Sequence, residues 1–196
     1  MVPMCSSETV SHSLSQAERQ TLLKLAHKAI LHGLQQGSPL KLDQTDYPES
    51  LQVTRATFVT LQRKGRLRGC IGHLEAIQPL VKDVSDNAFA AAFRDPRFPP
   101  LSAAELADLE LHISVLTPSS PMTFTSEEDL LNQLQPGVDG LIMEDGLYRG
   151  TFLPSVWEQL PDPVDFLRHL KQKAGLSQNH WSDSLTVSRY RTESFP

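Results

Sequence analysis

The sequence predicts an α+β protein in which antiparallel sheets are flanked by helices. Three observations predict it. Residues 56–73 and 138–153 each read as two strands closed by a short turn. Segments with helical apolar spacing lie between and around these pairs. Strands and helices do not alternate one for one, as a parallel sheet would require. The chain has 196 residues, 39% of them hydrophobic. A chain of that length buries roughly 70% of the surface its unfolded form exposes. It suits one domain, or two small lobes sharing a core.

Residues 1–14 are polar and read as a disordered tail, with the folded region spanning 15–196. The first helix is predicted to start at Ser15, because Ser15-Gln16-Ala17-Glu18 is a capping box. Leu22, Leu25, Ala26, Ala29, Ile30 and Leu34 follow at helical spacing, and Gly37-Ser38-Pro39 ends the helix. Residues 38–50 read as a polar loop turning at Tyr47-Pro48. Ala56 to Leu61 is rich in β-branched residues, Gly65 supplies a turn, and Leu67 to His73 returns as the second strand of a hairpin with a basic tip. A helix follows Pro79, with Ile77, Leu80, Val81, Val84, Ala88 and Ala91 as its apolar stripe, and stops at Asp95-Pro96. Ser102-Ala103-Ala104-Glu105 is a second capping box opening a short helix. From Leu109 to Leu116 apolar and polar residues alternate, which predicts a half-buried strand with Glu110, His112 and Ser114 on its polar face. Ser126 opens a helix closed by Pro136-Gly137, and Glu144-Asp145-Gly146 marks the turn of a second hairpin. Asp162-Pro163 opens a helix stopped by Gly175, and Leu185 to Arg191 is the last strand.

Net charge is −5, which disfavours a general nucleic-acid binder, because such proteins neutralise phosphates with Lys and Arg. The one basic cluster is Arg63, Lys64, Arg66 and Arg68, four cations within six residues at the hairpin tip. No apolar run approaches the roughly 18 residues of a membrane span, and the first residues lack the basic and apolar regions of a signal peptide. Only Cys5 and Cys70 occur, without the spacing of a disulfide framework, so a cytoplasmic location is expected. The seven histidines are scattered without metal-ligand spacing, no glycine-rich phosphate loop occurs, and no cofactor is implied.

Several segments carry a family resemblance: Leu67-Arg68-Gly69-Cys70-Ile71-Gly72, then Asn87-Ala88, Asp95-Pro96-Arg97-Phe98-Pro99-Pro100 and Leu109 to Leu116. Asp139-Gly140-Leu141, Phe152-Leu153-Pro154 and Lys173-Ala174-Gly175-Leu176 with Trp181 continue it in the same order. Through them the chain resembles the AMMECR1 domain family over about residues 15–195. The resemblance implies two unequal subdomains, each with an antiparallel sheet, facing across a cleft toward which the LRGCIG segment looks. Bacterial relatives look like one part of a three-part system (AmmeMemoRadiSam) with a Memo-like protein and a radical SAM protein. No settled reaction comes with the family. Lys171 is a departure, since many relatives carry a second cysteine there.

On a regular strand Leu67, Gly69, Ile71 and His73 share one face, and Arg68, Cys70 and Gly72 the other. The apolar members make the first face the core, so Arg68 and Cys70 are expected to look out together. A guanidinium there would favour the thiolate. Gly69 and Gly72 would admit a ligand, another backbone or a bulge, and a bulge would bring His73 to the cysteine face. If the 109–116 strand runs near Cys70, His112 or His73 could serve as base and Glu110 could orient it, making a Cys–His site. Asn87, Ala91 and Arg94 share a helix face, and Arg97 lies on a stiff proline-flanked loop, so Asn87 and Arg97 join Arg68, Gly69, Gly72 and Glu110 as candidate contacts.

Two readings of function follow, and a third is weaker. The first is a cleft-binding component that holds a peptide, protein segment or small ligand for Memo-like and radical SAM partners. The second is an enzyme with Cys70 as nucleophile. The third is nucleotide or nucleic-acid binding by the basic hairpin tip.

Overall fold

The computed structural model describes residues 13–196. Within them the chain forms two four-stranded antiparallel sheets. The first has the order β2-β1-β3-β8, built from β1 (Thr57–Arg63), β2 (Arg66–Gly72), β3 (Leu109–Leu116) and β8 (Thr192–Phe195). The second has the order β4-β7-β5-β6, from β4 (Ser120–Pro121), β5 (Gly140–Asp145), β6 (Tyr148–Phe152) and β7 (Thr186–Tyr190). This is the predicted α+β class.

Both predicted capping boxes form. Ser15 and Glu18 close the start of α1 (Gln16–Gln36), and Gly37 ends it in the left-handed region at φ 66°. Ser102 and Glu105 close a 3-10 turn over Ala103–Asp108 where a short helix was expected. The helix after Pro79 is α3 (Leu80–Phe93), with Pro79 itself as the cap residue. α1 and α3 cover one face of the first sheet. Leu22, Ile30, Val81 and Val84 of the helices pack against Val59, Leu61, Ile113 and Val115 of the strands. The second core lies between the second sheet, α4 (Glu127–Gln133) and α5 (Pro163–Ala174). There Trp157 and Phe166 stack with ring centroids 3.7 Å apart. Lys171 is fully buried and its Nζ donates to Glu127 at 2.7 Å.

The sheets are joined by one two-stranded ribbon. β3 pairs with β8 in the first sheet and β4 with β7 in the second. Only Arg191 separates β7 from β8. At that crossing the Thr117 N–H donates to the Arg191 carbonyl at 2.8 Å, and the Arg191 N–H donates to Thr117 Oγ1 at 2.9 Å. A small apolar cluster of Ala56, Leu116, Ile142 and Tyr190 fills the junction.

Further elements differ from expectation. The last predicted strand, 185–191, forms as β7 and ends before Arg191, and an unpredicted strand, β8, follows it. β8 reads Thr-Glu-Ser-Phe, without apolar alternation, and exists because β3 offers it an edge. β4 contains a proline, α2 (Glu49–Gln52) is a single turn, and Pro154–Glu158 is a 3-10 turn inside a stretch without helical spacing. Of the expected tail, residues 1–12 lie outside the described residues. Leu14 is buried, and its N–H donates to the Glu193 carboxylate at 3.1 Å.

Candidate functional site

The first hairpin turns at Lys64 and Gly65, both with positive φ (53° and 70°), the conformation that suits a two-residue hairpin loop. The pairing then shifts. Leu61 faces Gly69 but Gln62 faces Leu67, leaving Arg68 as an extra residue in β2. This bulge corrects the expected alternation. Leu67 is 44% exposed and belongs to no core. Arg68 does not project beside the thiol. Its Nε and Nη2 donate to Glu105 at 2.7 and 3.2 Å, and Nη2 donates to the Pro99 carbonyl at 3.0 Å. Glu105 is held at about 2 by the Arg68 guanidinium, helped by the Ser102 N–H and opposed by burial. Because the bulge lies before Cys70, it does not carry His73 onto the cysteine face.

β2 is an edge strand, and the Asp95–Arg97 loop covers its edge at Cys70. The Cys70 N–H donates to Asp95 Oδ2 at 2.9 Å, and Arg97 Nη2 donates to the Cys70 carbonyl at 3.1 Å. Arg97 Nε and Nη2 bind the same aspartate at 2.9 and 2.7 Å. The two side chains take the place of a neighbouring strand residue, which protects an otherwise open edge. Arg97 holds the Asp95 carboxyl far below the usual carboxylate range, against the opposing effect of burial. The two motif glycines serve close backbone packing. A side chain at Gly69 would fall on the Ala91 carbonyl of α3, and one at Gly72 on the Thr57 carbonyl and the Phe58 ring.

Cys70 is partly exposed, and its sulfur lies 3.2 Å from Thr60 Oγ1. Thr60 faces Cys70 on one side and His112 on the other. Glu110 lies opposite Gln62, and Ser114 opposite Phe58, so these residues occupy the face that α1 and α3 leave uncovered. Cys70 and His112 therefore share a face but stand two strand spacings apart, roughly 10 Å. That is beyond hydrogen-bond reach, so the expected Cys–His pair does not form. At one end of this face Ser114, Thr192 and Ser194 meet Gly137, Pro154 and Trp157 around a hollow of about 500 Å³.

His73 has a different partner. Its Nδ1 is 2.9 Å from Asp83 Oδ1, which also accepts from Gln78 Nε2 at 3.1 Å. Asp83 Oδ2 accepts from the Thr57 N–H at 2.9 Å, Thr57 Oγ1 at 2.6 Å and Asn87 Nδ2 at 2.9 Å. Asp83 is fully buried, and so is Thr57. Asn87, expected at a ligand, is spent here: its amide also donates to the Thr57 carbonyl at 3.1 Å. Sequence reasoning missed Asp83, although it lies one helical turn before Asn87 on the same side of α3. Half-exposed His73 faces a groove of about 860 Å³ between the 38–42 loop and α3.

Among the described residues, no group of three His, Cys, Asp or Glu side chains is placed to hold a metal ion, and no helix is long and apolar enough to cross a membrane. Of the basic hairpin tip, Arg63 pairs with Glu105 and Asp108, Lys64 with Asp108, and Arg68 with Glu105.

The comparisons with known proteins agree with one another. A protein of Methanothermobacter thermautotrophicus is 41% identical over 184 residues, covering 93% of this chain and 95% of its own length. A protein of Thermofilum pendens is 36% identical over 194 residues, covering 93% and 91%. The crystal structure of an uncharacterized protein from Pyrococcus horikoshii superposes with a TM-score of 0.79 at 35% identity, covering 89% of this chain and 88% of that one. The sequence model of the AMMECR1 family matches residues 23–195. The chain belongs to the AMMECR1 family.

Proposed function

We propose that the protein is a recognition component which holds an extended peptide, a protein segment or a small ligand against the uncovered face of its first sheet. It does so for a Memo-like protein and a radical SAM protein, the partners that the family resemblance implies. One observation carries the reading: the thiol of Cys70 has a hydroxyl, Thr60, as its neighbour, and the nearest histidine on that face is two strands away. A row of half-exposed Cys70, Thr60, Gln62 and His112 with exposed Glu110 offers donors and acceptors to a bound segment. It lacks the adjacent base that a thiol nucleophile needs. Asp95 and Arg97 stiffen the row from the edge, which lowers the entropic cost of binding. Arg68 and Asn87 act indirectly in this reading, by fixing the strands. The pairing of three of the four hairpin cations argues against the nucleic-acid alternative.

The test is affinity for a Memo-like protein, measured with Cys70→Trp and with Glu110→Arg, each checked for an unchanged melting temperature. Binding weakened at least about 10-fold by both variants is expected. Unchanged binding in both would remove this face from the contact. Alkylation rate against pH addresses the enzymatic alternative, because a thiolate forming below about pH 7 would mark an activated nucleophile.

A further inference from the structure

We infer that the groove between the 38–42 loop and α3 binds a small organic anion with an apolar body, anchored by His73 Nε2, the Ser85 hydroxyl and the Arg94 guanidinium. This site lies apart from the Cys70 face and does not rest on the function proposed for it.

Four features converge on the groove. The first is the fixed imidazole. Asp83 Oδ1 accepts from His73 Nδ1–H, and Nε2 has no partner among the described residues, so that in its imidazolium form the ring offers a second N–H to an anion in the groove. The aspartate that fixes it is itself held by Thr57, Asn87 and Gln78. The second is Ser85. It is 2% exposed and lines the groove, and its Oγ has no hydrogen-bond partner among the described residues. A helical serine ordinarily donates to a carbonyl one turn back, and a buried hydroxyl left unpaired is unfavourable. A ligand polar atom in the groove would satisfy it.

The third is charge. Lys41, Lys82, Asp86 and Arg94 all line the groove. Lys82 is neutralised by Asp86 at 2.9 Å. Lys41 and Arg94 have no carboxylate partner among the described residues, and Arg94 is held over the Phe89 ring at 5.0 Å. The balance inside the groove is positive, which selects an anion. The fourth is the apolar wall of Leu40, Ile71, Ile77 and Phe89. Ile77 is 67% exposed at its rim, an apolar surface that an apolar ligand body would cover.

Calorimetric titration with phenyl phosphate and with phenylacetate tests the assignment, with neutral phenylacetamide as control. Saturable binding of at least one anion is expected, with the amide at least about 10-fold weaker. Arg94→Ala should weaken the anion about 10-fold. Ser85→Ala should weaken it about 3-fold while leaving the melting temperature unchanged or raised, because the hydroxyl has no partner to lose. The His73 ring resonances should shift on saturation, and those of His27 and His169 should not. Failure of both anions to bind, equal binding of the amide, or wild-type affinity in Arg94→Ala would each overturn the assignment. The two acids differ in whether they carry phosphate or carboxylate, so their relative affinities identify the anionic group.

Discussion

Thr57 on β1, His73 just beyond β2, Gln78 just before α3 and Asn87 within it all direct donors at the Asp83 carboxylate. A buried carboxylate with so many donors is costly to delete, because the donors cannot turn to water. Asp83→Ala should destabilise the protein by about 3 kcal/mol or more, read from urea unfolding. Gly69→Ala sets a β-carbon on the Ala91 carbonyl oxygen, a backbone atom that α3 cannot move alone. It should cost about 3 kcal/mol by the same measurement, whereas Cys70→Ser should stay within about 1 kcal/mol. A loss at position 70 as large as that at position 69 would mean that Cys70 too is held by close packing. These residues also mark where the sequence misleads. The LRGCIG stretch identified the family and the hairpin, but strict alternation turned Arg68 outward. One extra residue in β2 gave it to Glu105 instead. A bulge depends on which residue of the partner strand is skipped, and that information is not local to the motif.

At the scale of elements, capping chemistry and periodicity were legible because both are local. The boxes at Ser15 and Ser102, the alternation of β3 and the left-handed Gly37 and Gly175 all form at the expected positions. β8 and β4 were not legible, since their only reason to be extended is a partner strand far away in sequence. The covered edge of β2 is another non-local element, and it predicts an acid response. Asp95 is held low by Arg97, and Glu105 is held at about 2 by Arg68. Each carboxyl binds its proton more weakly in the folded chain than in the unfolded one. Below about pH 5 the unfolded chain takes up protons that the fold excludes, so stability falls as pH falls. The contribution is complete above about pH 5 and, for Glu105, lost on passing about pH 2. Denaturant titrations between these limits should show that slope, and Asp95→Asn and Glu105→Gln should each flatten it. A slope unchanged in both variants would assign the acid response elsewhere.

Across the whole molecule, the two sheets have separate cores, one around Leu61 and Ile113 and the other around Phe166 and Met143. Two such cores could unfold independently if only a flexible linker joined them. Here the connection is a paired ribbon. β3 and β4 run antiparallel to β8 and β7, and Thr117 and Arg191 keep hydrogen bonds across the point where the ribbon leaves one sheet for the other. Tyr190 lies at the same crossing, 2% exposed, with its hydroxyl donating to the Phe152 carbonyl at 3.0 Å. Burial holds that phenol up at about 12. Opening either sheet therefore exposes the junction cluster and breaks pairing in the other, so calorimetry should show a single cooperative transition. Thr117→Val removes only the acceptor for the Arg191 N–H and should cost about 1 kcal/mol without changing that shape. Thr117→Pro removes the N–H that binds the Arg191 carbonyl as well, and should divide the melt into two transitions, one for each core. Two transitions in the wild-type protein would mean that the two cores unfold independently, whereas a single one in Thr117→Pro, with tryptophan fluorescence and backbone circular dichroism still coincident, would mean that the Ala56, Leu116, Ile142 and Tyr190 cluster couples the sheets and the ribbon does not.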